Sequence, residues 1–293
     1  MRSALDCIPC FARQALDAAR MASDDPAIHE DIVREILPWI AEADLSQSPP
    51  RFAQHIHRRL RALTATADPH HEAKARHNQM ALSLLAELKT EIARAPRPLE
   101  TAVRLAIAGN VIDMGAKTDV TDWDLRQAIA QALSQPVTGD CEDFCRAADT
   151  AGSILYLTDN AGEIAFDRLL IEQLGPHRVT VAVRGAPVIN DATLADASVV
   201  GLDEIATVID NGSDAPGTIL ADCSPEFQRR YADSDLVIAK GQGNFESLSD
   251  ESRDVFFLFK VKCQVVADHV GAPPGTHLLK RSRSCSTTDG ERT

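Results

Sequence analysis

The stretch Ile154-Leu-Tyr-Leu-Thr-Asp-Asn-Ala-Gly-Glu163 decides how the rest of the chain reads. Ile154 to Leu157 is a short apolar, β-favouring run bounded by polar residues and glycine, the pattern of a strand buried on both faces. After Glu163, apolar residues recur at helical spacing as Ile164, Phe166, Leu169, Leu170 and Leu174. The unit is strand, polar turn, helix, and in open α/β sheets ligands sit beyond the carboxyl ends of the strands. Asp159 and Asn160 fall at that position. A carboxylate beside an amide supplies the hard oxygen ligands that Mg²⁺ or Mn²⁺ takes. The same two residues also suit a plain turn with a helix N-cap. Gly162 is expected to let the backbone approach an anion.

Outward from this unit, strand and helix alternate toward the C-terminus. Val179–Val183 and Leu236–Ala239 read as further strands, Val199–Val200 and Thr207–Asp210 as short ones, and Val255–Val261 as the last. The N-terminal side is helical. Apolar residues at helical spacing mark segments near Cys10–Ala19, Ile28–Ile40, Phe52–Leu60 and His70–Ile92. The expected fold class is therefore α/β: a mostly parallel, Rossmann-like sheet with helices on both faces, preceded by an all-helical part. The expected boundaries are 1–95 helical, 96–150 a helical connection, 151–274 the α/β site domain, and 275–293 a disordered basic tail.

Composition narrows the function classes. At 293 residues, 44% hydrophobic and 25% charged, the chain is globular. Thirty Lys and Arg against 43 Asp and Glu give a formal charge of −13, which argues against nucleic acid as a partner. No apolar run reaches a membrane span and no apolar leader follows Arg2, so a cytoplasmic protein with free thiols is expected. Cys7-Ile-Pro-Cys10 lacks a second pair at zinc-finger spacing and reads as a buried helix start. His55, His57, His70, His71 and His77 show no i, i+4 ligand pair and read as solvated helix faces. Asn110 and Asp113 lie three apart on one helical turn. They suit either a site or a helix end capped by Gly109 or Gly115.

Three strand ends carry polar clusters: Asp159, Asn160 and Glu163; Arg184, Asn190 and Asp191; and Lys240, Gly241, Gly243, Asn244 and Glu246. Three such ends in one sheet exceed what turn chemistry requires and point to a metal-assisted anion site. Lys240-Gly-Gln-Gly opens a helix whose N–H groups suit phosphate oxygens, although it is neither a P-loop nor a dinucleotide fingerprint.

Asp159-Asn-Ala-Gly-Glu163, Arg184-Gly-Ala-Pro-Val-Ile-Asn-Asp-Ala-Thr193 and Lys240-Gly-Gln-Gly-Asn-Phe-Glu246, with Cys7–Cys10 and Gly109–Asp113, resemble the motifs of the DUF89 family of ARMT1-like damage-control phosphatases, in the stand-alone prokaryotic branch. The resemblance spans about residues 4 to 272. It implies a divalent metal (Mn²⁺, Co²⁺, Ni²⁺ or Mg²⁺) held by Asp159, Asn160 and Asp191, and hydrolysis of small phosphorylated metabolites such as sugar phosphates. It implies phosphate contacts from Lys240, Gly241, Gly243, Asn244 and Lys262, with Asn110, Asp113, Arg184 and Glu246 near the substrate. Glu163 is the candidate for handling the water and Lys240 for stabilising charge. Asp159 as a covalent nucleophile is disfavoured, because Ala161 stands where the aspartyl-phosphatase signature has its second acid. A phosphometabolite sensor and an S-adenosylmethionine-dependent carboxyl methyltransferase are the rival readings.

Overall fold

The computed structural model describes residues 1–64, 66–109 and 121–282. Seven strands form one sheet in the order β1 (Thr138–Gly139), β7 (His277–Arg281), β6 (Phe256–Lys260), β5 (Leu236–Lys240), β2 (Ile154–Leu157), β3 (Val179–Val183), β4 (Thr207–Asp210). β2 to β6 run parallel, while β7 pairs antiparallel with β6 and β1 joins β7. The chain winds one way from β2 through β3 to β4, then returns to lay β5 on the other side of β2. That reversal makes the β2–β5 crevice the topological switch point.

Alternation along each central strand divides the core. Ile154, Tyr156, Leu236 and Ile238 face one apolar cluster with α4 (His71–Arg94), α5 (Pro98–Ala108) and α8 (Glu163–Leu174). Leu155, Leu157, Val237 and Ala239 face the other, with α10 (Pro225–Asp233), α11 (Gly241–Leu248) and α12 (Gln264–Val270). A third cluster joins α1 (Cys7–Ala22), α2 (Pro26–Ala41) and α3 (Pro49–Thr64), and Val265 packs against it. The remaining helices are α6 (Asp122–Ser134), α7 (Cys141–Thr150) and α9 (Leu194–Val199). Local signals fix several starts. Asp25 caps α2 ahead of Pro26, and Ser224 caps α10 ahead of Pro225. Thr193 and Asp196 close a capping box on α9. No helix among the described residues is long and apolar enough to cross a membrane.

Several expectations change. Val199 ends helix α9, because the capping box at Thr193 starts a helix through that segment. Val255–Val261 is not the last strand: His277–Arg281, placed in the tail by sequence, pairs with the whole of β6 and buries Leu278 and Leu279. His57, His70 and His77 are buried rather than solvated. His77 packs against Gly162, the His57 and His70 rings lie beside each other, and burial lowers His57 to about 3. His55 alone stacks on Trp39, with ring centroids 3.9 Å apart. Cys7 is buried at the start of α1, and Cys10 is exposed. Cys141 and Cys145 pack against a different core from Cys7.

Candidate active site at the switch point

Hydrogen bonding continues past the ends of β2 and β3 and carries two loops together. Thr158 N–H donates to Ala182 C=O at 3.0 Å, Ala192 N–H to Asp159 C=O at 2.8 Å, and Ala161 N–H to Asn190 C=O at 2.8 Å. The result is an antiparallel bridge between Asn160 and Asp191, thirty-one positions apart in sequence but adjacent in space. To reach it, the 184–193 loop places Ile189 at φ 45°, a costly conformation for a β-branched residue and one that clusters at functional sites.

Asp159, Asn160 and Asp191 are all buried. Asn160 Nδ2 donates to Asp159 Oδ2 at 2.8 Å and to Glu163 Oε2 at 3.0 Å. Arg184 Nε donates to Asp191 Oδ2 at 2.6 Å, and Arg184 Nη2 lies 3.9 Å from Asp159 Oδ1. That Nη2 is buried without a hydrogen-bond partner, as are both side-chain atoms of Asn190. Buried polar atoms left unpaired are rare, and at a strand-end loop they mark where something else binds.

Gly241, with φ +79°, opens α11 directly against this group. A Cβ there would collide with the Asp159 carboxylate. The glycine therefore allows Asp159 to sit over a helix N-terminus, whose first N–H groups and dipole favour anions. Gly162 has another role than the expected one. Its missing Cβ makes room for the His77 backbone, and its N–H donates to Asn78 Oδ1 at 2.6 Å. Helix α4 occupies the space foreseen for an anion.

Lys240 differs from expectation most. It is fully buried, and its Nζ donates to Ala106 C=O at 2.7 Å, Glu163 Oε1 at 2.7 Å and Asp167 Oδ1 at 2.6 Å. Those bonds use all three ammonium protons, so the head group has none left for a phosphate. Tyr156 O–H donates to the same Asp167 oxygen at 2.8 Å. Burial pushes Asp167 up to about 6 against the opposing field of Lys240. Asp167 and Tyr156 were not singled out by sequence. The signal for Asp167 was present: it stands four residues after Glu163, on the same helix face.

Asn244 is likewise saturated. Its Nδ2 donates to Thr158 C=O and Lys240 C=O, and its Oδ1 accepts from Thr218 Oγ1 and Arg184 Nη1. It ties β2, β5 and the 218 loop together, with both of its amide protons already given within the chain. Glu246, two residues further along α11, faces the opposite way. Its carboxyl accepts from Gln242, its carbonyl accepts from the Met1 amino group, and burial pushes the acid up to about 7. Glu246 is therefore turned away from Asp159, Asn160 and Asp191. Gly243 packs against the Pro216 carbonyl. Exposed Lys262 gives its backbone N–H to Gln242. Asn110 and Asp113 lie outside the described residues.

The helical side secures these loops. Gln54 donates to Asp214 and Asp222, and Arg61 to Pro187 C=O and Asp214. Lys74 and Asn78 donate to Asp196.

A family model for the damage-control phosphatase ARMT1-like domain matches residues 3–278. The chain belongs to this family. It is 35% identical to an uncharacterised protein of Methanocaldococcus jannaschii, over 94% of each chain. It is 33% identical to a damage-control phosphatase of Archaeoglobus fulgidus, over 94% of this chain and 97% of that one. A damage-control phosphatase of Pyrococcus horikoshii is 32% identical over 97% and 99%. The crystal structure of a DUF89 family protein from Pyrococcus horikoshii superposes with a TM-score of 0.88, covering 97% of this chain and 100% of that one at 31% identity. Family membership supports a phosphatase role for the chain.

Proposed function

We propose that the chain is a divalent-metal-dependent phosphatase acting on small phosphate monoesters. One observation carries this reading: the Asn160–Asp191 bridge sets Asp159, Asn160 and Asp191 side by side at the switch point, next to the N-terminus of α11. The donor set fits a hard cation. Among the described residues no three His, Cys, Asp or Glu side chains gather as a metal group; the set here is two carboxylates with an amide oxygen. The buried polar cluster holds four carboxylates (Asp159, Asp191, Glu163 and Asp167) against two cationic side chains (Arg184 and Lys240). One divalent ion balances it.

Asp159, Asn160 Oδ1 and Asp191 would hold the metal, which supplies Lewis-acid polarisation of the phosphoryl group and a more acidic bound water. Arg184, anchored on Asp191, turns its unpaired Nη2 toward Asp159, where it meets an equatorial phosphoryl oxygen. The first N–H groups of α11 meet another. Asn244 and Thr218 hold Arg184 in place, so these donors need no rearrangement as charge develops. The small monoester is the substrate class because the proposed donors, Arg184 Nη2 and the N-terminus of α11, suit a single phosphate. Mn²⁺, Co²⁺, Ni²⁺ and Mg²⁺ are the ions to try.

Release of inorganic phosphate from p-nitrophenyl phosphate tests the reading, with each ion in turn and with EDTA. Turnover that needs one of the ions and disappears on chelation is the expected result. Equal turnover in EDTA, or none with any ion, would overturn it. Binding of a methyl donor in place of turnover would favour the methyltransferase reading.

A further inference from the structure

Beneath the proposed cation ligands lies a layer of charged residues sealed from solvent. Glu163, Asp167, Lys240 and Tyr156 are all fully buried. A buried ion cluster is weak evidence for stability, since apolar residues of similar volume often do as well. Its position suggests a different use.

Asn160 Nδ2 sits between Asp159 Oδ2 and Glu163 Oε2. Ionised carboxylates only accept hydrogen bonds, so the NH₂ end of the amide must face them. Oδ1 then faces the other way, and it accepts no hydrogen bond from any described residue. Glu163 is fixed in turn through its other oxygen by Lys240. Lys240 is fixed by Asp167, which Tyr156 holds, and by the Ala106 carbonyl in the last turn of α5. That carbonyl lies in the last turn of α5, so the ammonium also caps the helix.

We propose that Lys240, Glu163, Asp167 and Tyr156 form a buried positioning relay that sets the sense of the Asn160 amide, keeping Oδ1 toward the cation. The relay rests on the reading of Asp159, Asn160 and Asp191 as the cation's ligands. It moves Lys240 from the phosphate to a supporting role, and Glu163 from the water to the orientation of a ligand. Outer partners of this kind govern metal affinity.

The relay makes an unusual demand on Glu163→Gln. Lys240 can be satisfied only by an oxygen, so the introduced amide must turn its NH₂ toward Asn160. Asn160 then flips to accept, and its own NH₂ points at the cation site. Removing the ammonium as well, in Glu163→Gln/Lys240→Met, frees the introduced amide to turn its oxygen back to Asn160.

Calorimetric titration of Mn²⁺ into the full chain reads this directly, with metal-free circular dichroism as the control for folding. Glu163→Gln is expected to lose Mn²⁺ affinity by about 10- to 100-fold, with turnover largely regained at saturating Mn²⁺. The double variant is expected to bind within a few-fold of the parent. Wild-type Mn²⁺ affinity in Glu163→Gln with turnover lost at every Mn²⁺ concentration would overturn the relay, because Glu163 would then act on the reacting water. A folded double variant that binds no better than Glu163→Gln would also overturn it. If the single variant does not fold, Mn²⁺ binding by the double variant alone decides. A parent chain that binds no Mn²⁺ would remove the ligand assignment, and the relay with it.

Discussion

The rim and the layer beneath it are made from the same residue types and behave as opposites. In the layer, Lys240 gives every proton to an acceptor, and Glu163 and Asp167 share it at zero exposure. At the rim, Asp159 and Asp191 share one guanidinium, one of whose nitrogens is unpaired, and Asn190 has no side-chain partner. The layer's one cation is fully committed and holds its neighbours in place, although Asp167 Oδ2 has no hydrogen-bond partner among the described residues. A cluster with surplus negative charge and spare polar atoms is built for something that arrives. The contrast shows that a lysine at a strand end does not by itself belong to the ligand: whether its protons are already committed decides.

Substitutions on the two sides should separate along this line. Asp159→Ala should cut phosphate release by at least about 10³-fold, roughly 4 kcal/mol of transition-state stabilisation, while circular dichroism and the metal-free unfolding midpoint stay close to those of the parent. Loss of folding in that variant would erase the distinction between rim and layer. Lys240→Met should act on stability, at a cost of about 3–5 kcal/mol, because it strands two buried carboxylates. Urea denaturation measures it. A variant as stable as the parent would show the layer to be dispensable.

The smallest effect is expected on the far face of α11. Glu246 has its pKa raised by burial to about 7, above its unfolded value. A carboxyl raised in the folded state holds its proton there longer than in the unfolded chain. Its contribution to stability is complete below the unfolded value near 4.5 and is lost as pH rises through about 7. Glu246→Gln should therefore leave the melting temperature unchanged at pH 4 and raise it modestly at pH 8, with phosphate release unaltered. A fall in turnover would return Glu246 to the site.

Much of this was legible in the sequence. The run Ile154–Leu157 before Asp159 and Asn160 pointed to the central strand and to the candidate site at its end, because a strand buried on both faces leaves only its ends for chemistry. The Arg184–Thr193 loop was recognisable as a candidate site loop, but its bridge to Asn160 was not, since pairing beyond strand ends depends on a loop doubling back through Ile189. The fate of Lys240 was hidden because its partners Glu163, Asp167 and the Ala106 carbonyl come from two other elements, α8 and α5. β7 was missed because its flanks are basic and polar. Only pairing along β6 makes Leu278 and Leu279 a core pair. The buried histidines were misread because one helix face says nothing about the loops that cover it.

The most direct measurement is an anomalous difference map from a crystal soaked in Mn²⁺. A single strong peak coordinated by oxygens of Asp159, Asn160 and Asp191 is the result expected if these separated loops make one cation site. A map with no peak there, or with its strong peak elsewhere on the chain, would contradict it.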